Sequence, residues 1–160
     1  IPWPIMRRPF WITSSKELAE GIFAMSEDDN TVEIMDGVPE TILKLKKEGY
    51  FLGIITDTAL SISQKLKWFE KYGFGHVWDV MISSREMGIR KPSPIMYEKA
   101  ISQTGIQASE AIFVGHKKTE LDGAKAIGMY TVAFNYEIDA HADVYIQDFR
   151  DLLKVPVLEK

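Results

Sequence analysis

The chain contains no cysteine. That absence excludes a disulfide framework, zinc–thiolate centres and thiol nucleophiles, and it fits a reducing compartment, so a cytoplasmic location is expected. Positive charge is not in excess either: 19 Lys and Arg stand against 23 Asp and Glu, for a net charge of −4. The basic footprint of a nucleic-acid binder is missing, and so is any attraction to an anionic membrane surface; neither nucleic acid nor membrane is expected as a partner. Long apolar runs are lacking. Phe51-Leu52-Gly53-Ile54-Ile55 falls far short of the roughly 20 residues that a membrane-spanning helix needs. The N-terminus, Ile1 to Pro9, is apolar but interrupted by three prolines and two arginines, unlike the continuous apolar core of a signal peptide. It begins without Met, as a processed chain or an excised fragment would. Residues 1–12 also hold no acidic residue, so that end of the chain offers no carboxylate.

What is present is alternation. A chain of 160 residues corresponds to one compact unit on a scale of about 150 residues per domain. From Asp36 onward, amphipathic stretches alternate with short β-branched or aromatic runs, the pattern of βαβ units building a parallel sheet. Val38, Ile42 and Leu45 recur at helical spacing, with Pro39 in the first turn and Gly49 as the stop. Residues 50–55 are nearly all apolar, as a strand buried on both faces should be. Helices are expected over Thr58–Lys71, from Ser93-Pro94 to about Thr104, and over Glu120–Ile127; strands are expected over Val77–Ile82, Ala111–Val114, Tyr130–Phe134 and Val144–Gln147. A short helix around Asp148–Leu153 closes the series. Residues 13–29 differ, since Ser14 or Ser15 can cap a helix bearing Leu18, Ile22 and Met25. The expected architecture is α/β: a Rossmann-like parallel sheet with helices on both faces over residues 31–160, preceded by a helical N-terminal segment over residues 1–30. Trp3, Trp11, Trp68 and Trp78 read as core or interface residues.

In an open parallel sheet, ligands bind at the carboxyl ends of the strands. The residues placed there by this reading are Thr56-Asp57, Ser83-Ser84, Lys91-Pro92, Gly115-His116 with Glu120, and Asn135. A hydroxyl, a lysine and helix-start N–H groups suit an anionic oxygen ligand, phosphate above all.

This order of elements resembles the haloacid dehalogenase superfamily of phosphohydrolases, especially its phosphoglycolate-phosphatase-like branch. Asp36-Gly37-Val38-Pro39 with Leu45-Lys46-Lys47-Glu48-Gly49 is similar to the turn and helix before the family's second motif. Phe51 to Thr56 is similar to that motif, an apolar strand ending in a hydroxyl residue. Arg90-Lys91-Pro92-Ser93-Pro94-Ile95-Met96-Tyr97 resembles the third. Ile112 to His116, then Glu120 and Ala124 to Met129, resembles the fourth. The resemblance covers residues 34–153 and implies phosphomonoester hydrolysis through an aspartyl-phosphate, with Mg²⁺ as cofactor and a small phosphorylated metabolite or phosphate as partner. It implies catalytic roles for Thr56 and Lys91, phosphate contact at Thr56, Asp57, Lys91 and Gly115, and metal ligation at Glu120 and His116. Lysine there stabilises the charge that develops in transfer.

Two departures stand out. The family's fourth motif carries an acid where this chain has His116, and imidazole suits softer metals than Mg²⁺. A helix-entry histidine satisfied by a neighbouring carbonyl is the other reading of that position, as a capping residue is of Thr56 and a solvated lysine of Lys91. Asp122 is an alternative to Glu120, although counting back from Gly128-Met129 favours Glu120. The first motif, an apolar strand ending in Asp-x-Asp, has no match; Phe10-Trp11-Ile12-Thr13-Ser14-Ser15 offers only hydroxyls. On this reading residues 1–30 are the tail of an inserted cap and the first strand lies upstream, or the chain has none. Asp36 after Val32–Met35 is the one other nucleophile candidate, but Val38 stands where its proton-transferring partner belongs. A non-catalytic anion-binding or interaction domain, with residues 1–30 as a dimerising surface, is the competing expectation.

Overall fold

The computed structural model describes residues 7–12, 36–56, 62–105 and 107–155, the first of these through the backbone. Six strands form one sheet: β1 (Arg7–Ile12), β2 (Tyr50–Thr56), β3 (Val80–Ser83), β4 (Ile112–Gly115), β5 (Tyr130–Phe134) and β6 (Val144–Ile146). Their order is β3-β2-β1-β4-β5-β6, and every pairing is parallel. Between them run α1 (Val38–Lys47), α2 (Ile62–Lys71), α3 (Ser84–Met87), α4 (Pro94–Ser102) and α5 (Lys118–Ala126), with a final 3₁₀ helix over Phe149–Lys154.

Strand alternation sends neighbouring residues to opposite faces, and each face has its own cover. Leu52, Ile54, Ile112 and Val114 meet α1 through Val38, Ile42 and Leu45, together with Phe69 of α2 and the C-terminal Phe149 and Leu152. Phe51, Ile55 and Phe113 meet α4 and α5 through Met96, Tyr97, Ala100, Leu121 and Ala124. All seven residues of β2 are buried, as burial on both faces requires. The α/β fold with helices on both faces is therefore the architecture of the chain.

The element boundaries agree closely with the sequence expectation in most places and depart from it in two. Residues 75–77 form a 3₁₀ turn, and β3 starts only at Val80. Val77 is apolar because it is buried with Phe69 and Phe74, and Trp78 packs on both rings; their apolarity serves packing, not a ladder. The second departure is β1. Residues 1–30 are expected to stand apart from the sheet, yet Arg7–Ile12 lies in its middle, with Ile12 level with Ile54 on one side and Val114 on the other. The expected helix over 13–29, the strand Val32–Met35, Asp57, Trp3 and the side chains of Trp11 and Trp68 lie outside the described residues.

Each outer strand is started by an aspartate that mimics a strand partner. Asp79 donates its N–H to the Leu52 carbonyl and accepts the Leu52 N–H on its carboxylate at 2.7 and 2.9 Å. Asp143 does the same with Thr131 before β6 at 3.1 and 2.8 Å. Lys46 and Lys125 neutralise the two carboxylates.

Candidate functional site

The strand order turns at β1, with β2 and β3 to one side and β4, β5 and β6 to the other. A crevice at the carboxyl ends of strands belongs at such a switch point. The residues that gather there come from the ends of β2 and β4, the loop between α3 and α4, and the first turn of α5.

Thr56 ends β2, level with Ser83 of β3. It is completely buried, and its Oγ1 has no hydrogen-bond partner among the described residues. The residues a capping Thr56 would serve, 57–61, lie outside the described residues. A buried hydroxyl left without a partner costs about 1–3 kcal/mol, so an orphan of this kind points to a ligand that completes it. Ser83, by contrast, is satisfied: its hydroxyl accepts the Arg85 N–H at 3.1 Å and caps α3.

Lys91 lies in the loop before α4, where the Lys91–Pro92 peptide is cis. Its side chain is wholly buried, which overturns the reading of a solvated loop lysine. Nζ donates to the carbonyl of Ile55 at 3.2 Å, the residue just before Thr56, and stands 3.3 Å from Oε1 of Glu120. The lysine is thus held between the end of β2 and the start of α5. Gly115 is the buried last residue of β4, and His116 follows it with its Nδ1 at 3.7 Å from the other oxygen of Glu120.

Glu120 is buried and its position is fixed from behind. Tyr97 of α4, itself fully buried, donates its hydroxyl to the Glu120 carbonyl at 2.8 Å, and its ring packs edge-on against Phe113 at 5.4 Å. Gly123 allows this closeness, because a Cβ there would lie 2.9 Å from the Tyr97 ring and 3.1 Å from Pro92. Sequence reasoning placed Tyr97 in a motif without giving it a task; an aromatic one turn into a proline-started helix was the available signal. The Ile55 carbonyl as a partner for Lys91 left no signal at all, since every residue carries one.

Glu120 therefore takes the place expected for it, and Asp122 does not: Asp122 is half exposed and ion-paired with Lys118 at 2.6 Å. Asn135, after β5, is exposed and adopts a left-handed φ of 51°. Asp36 is also remote from this cluster in its contacts. It is 89% exposed and paired with Arg150 at 2.9 Å, and hydrogen bonds to Asp36 and Asp148 push the Arg150 pKa further up. Val38, two residues on, lies in the core, as a helix residue and not a proton donor.

The described residues do not fit the Mg²⁺ implied by the resemblance. No three His, Cys, Asp or Glu side chains group together among them. Mg²⁺ demands oxygen ligands in near-octahedral array, whereas the cluster presents one carboxylate with an ammonium at one oxygen and an imidazole at the other.

Comparison with known proteins gives a consistent picture. The profile of the haloacid dehalogenase-like hydrolase family matches residues 13–134. A glyceraldehyde 3-phosphate phosphatase of Pyrococcus furiosus is 35% identical over 92% of this chain and 61% of its own length. A crystal structure of a predicted phosphoglycolate phosphatase from Haemophilus somnus superposes with TM-score 0.74 at 22% identity, over 84% of this chain and 62% of that one. An uncharacterized protein from Listeria monocytogenes shares the fold at TM-score 0.69 and 19% identity, over 92% of this chain and 94% of that one. The chain thus spans about three-fifths of the first two relatives. Among the described residues no helix is long and apolar enough to cross a membrane.

Proposed function

The chain belongs to the haloacid dehalogenase-like hydrolase family, and on that premise we propose that its strand-end cleft binds the phosphoryl group of a small phosphomonoester. The activity of the parent enzyme is phosphomonoester hydrolysis, and the compartment is the cytoplasm. The observation that carries the proposal is the buried hydroxyl of Thr56, which has no partner among the described residues, one residue from the carbonyl that anchors Lys91.

In this reading Thr56 donates its hydroxyl to a phosphoryl oxygen, and Lys91 supplies the positive charge that an oxyanion needs in a low-dielectric site. Gly115, the last residue of β4, has no side chain to stand in the anion's way, and Glu120 holds Lys91 in place. These residues position and stabilise. They do not attack phosphorus: Glu120 is engaged by Lys91 and His116, and Asp36 by Arg150. The described residues therefore supply the phosphate-binding half of the chemistry, and binding without turnover is the second reading.

Thr56→Val tests it, because valine keeps the shape and removes only the hydroxyl. Removing an unsatisfied buried polar group leaves stability unchanged or raises it, while the lost hydrogen bond lowers affinity for inorganic phosphate roughly tenfold, about 1.4 kcal/mol. Calorimetric titration of phosphate and a urea melt measure the two. Lower stability with unchanged affinity would place the hydroxyl in the structure and not in a site.

A further inference from the structure

The position at which a metal ligand is expected carries an imidazole, and the carboxylate beside it is already flanked on both oxygens. We propose that His116 abolishes the divalent-cation site of this fold, so that the anion cleft works without a metal ion. The inference rests on the phosphate-binding reading for its ligand, but its cation half stands by itself.

The donor set is the first argument. An octahedral Mg²⁺ keeps several of its waters and takes one or two carboxylates. The nitrogen of His116 is a poor donor to it. The nitrogen faces the remaining carboxylate, with Nδ1 and Oε2 of Glu120 at 3.7 Å. A cation bound to that oxygen would crowd the imidazole.

Electrostatics is the second argument. Lys91, with its side chain wholly buried, places an ammonium 3.3 Å from the other Glu120 oxygen. Like charges repel strongly where water is excluded. A dication arriving at Glu120 would have to share one carboxylate with a cation that the Ile55 carbonyl holds in place. Among the described residues, the carboxylate of Glu137, in the loop after β5, is turned to the Lys118 N–H, which it accepts at 3.0 Å. Asp122 points instead to the Lys118 ammonium.

The consequence is specific. One substitution, at His116, separates a metal-free anion cleft from a metal-dependent one. His116→Asp restores an oxygen donor one helical turn from Glu120 and supplies the negative charge that a second cation needs. His116→Asn gives an oxygen without the charge and serves as the control.

Two titrations by calorimetry decide the matter on the 160-residue chain. In the first, Mg²⁺ alone is titrated into the unaltered chain and each variant. No heat of binding is expected for the unaltered chain and for His116→Asn, and saturable binding for His116→Asp. Saturable Mg²⁺ binding by the unaltered chain overturns the proposal, and so does failure of a folded His116→Asp to gain it. In the second, inorganic phosphate is titrated in chelator and then in Mg²⁺. Equal affinity is expected for the unaltered chain, and at least about a tenfold gain with Mg²⁺ for His116→Asp, the equivalent of about 1.4 kcal/mol. A tenfold gain in the unaltered chain also overturns the proposal. Absence of phosphate binding in both buffers refutes the phosphate-binding reading, while the Mg²⁺ titration still decides the role of His116. A thermal melt of each variant confirms that it is folded.

Discussion

Lys91 and Glu120 form an ion pair of 3.3 Å in which neither side chain is more than 7% exposed. Desolvating both charges is costly, and the pair persists because each has further partners: Ile55 for the ammonium, and His116 for the carboxylate. A pair of this kind is weak evidence for stability, because its desolvation cost offsets much of its attraction.

Its removal has two outcomes that differ by design. Lys91→Met leaves the Glu120 carboxylate buried without its cation and is expected to cost about 3–5 kcal/mol. Adding Glu120→Gln removes the stranded charge and is expected to restore most of the stability, a coupling of about 1–3 kcal/mol in a double-mutant cycle. The double variant, folded, is still expected to have lost phosphate affinity. Urea denaturation and calorimetry measure the two effects, and additive losses of stability would show that the pair is not coupled.

Gly123 gives a prediction against helix propensity. In a helix interior Ala is better than Gly by up to about 1 kcal/mol, so Gly123→Ala in an ordinary helix would stabilise. Here the added Cβ would meet the Tyr97 ring at 2.9 Å and Pro92 at 3.1 Å. Overpacking of that kind costs about 1–3 kcal/mol, and a net loss is expected. Because Pro92 follows Lys91, weaker phosphate binding is expected as well. A urea melt showing a gain in stability would mean that α5 shifts away from α4 without penalty.

The fold was legible where a local signal and the long-range structure agree. Tyr130–Phe134 is a strand by composition and a strand in the sheet; Pro39 and Pro94 mark helix starts because a missing N–H costs nothing in a first turn. The signal failed where apolarity served another purpose, as at Val77 and Trp78. It failed also at β1, where Arg7, Arg8 and Pro9 give no apolar run. The slot between β2 and β4 is a tertiary fact that no local pattern encodes. At the site, Thr56, Lys91 and Glu120 were readable from spacing at strand ends. What holds them was not: a backbone carbonyl, the hydroxyl of Tyr97 and a glycine whose missing Cβ makes room.

Asp143 ties the edge strand to pH. Burial works against its charged form, but hydrogen bonds from Lys125 and from the backbone and hydroxyl of Thr131 outweigh it and hold its carboxyl below the usual aspartate range. A carboxylate whose folded pKa is lowered contributes stability above its unfolded pKa and loses it as pH falls through the folded value. Asp143→Asn is therefore expected to cost about 1–2 kcal/mol at neutral pH. That difference should stay constant down to about pH 5 and shrink below about pH 4. Urea melts across this range measure it, and a difference that grows with acid would reverse the assignment.

The last prediction concerns turnover. Stepwise phosphoryl transfer needs one carboxylate in line with phosphorus and a second to protonate the leaving oxygen. Thr56 and Lys91 supply neither; the roles proposed for them are binding and neutralisation. The 160-residue chain is therefore expected to release p-nitrophenol from p-nitrophenyl phosphate no faster than background, with Mg²⁺ or with Mn²⁺. Asp36→Asn, assayed beside it, is expected to change nothing, because Asp36 is an exposed partner of Arg150 and its neighbour two residues on is the buried Val38. Turnover abolished by Asp36→Asn would make that aspartate the nucleophile of a capless enzyme. Turnover that survives Asp36→Asn and is lost in Thr56→Ala would mean that a nucleophile sits beside Thr56 in the cleft. Either result would replace the reading of a cleft that binds without reacting.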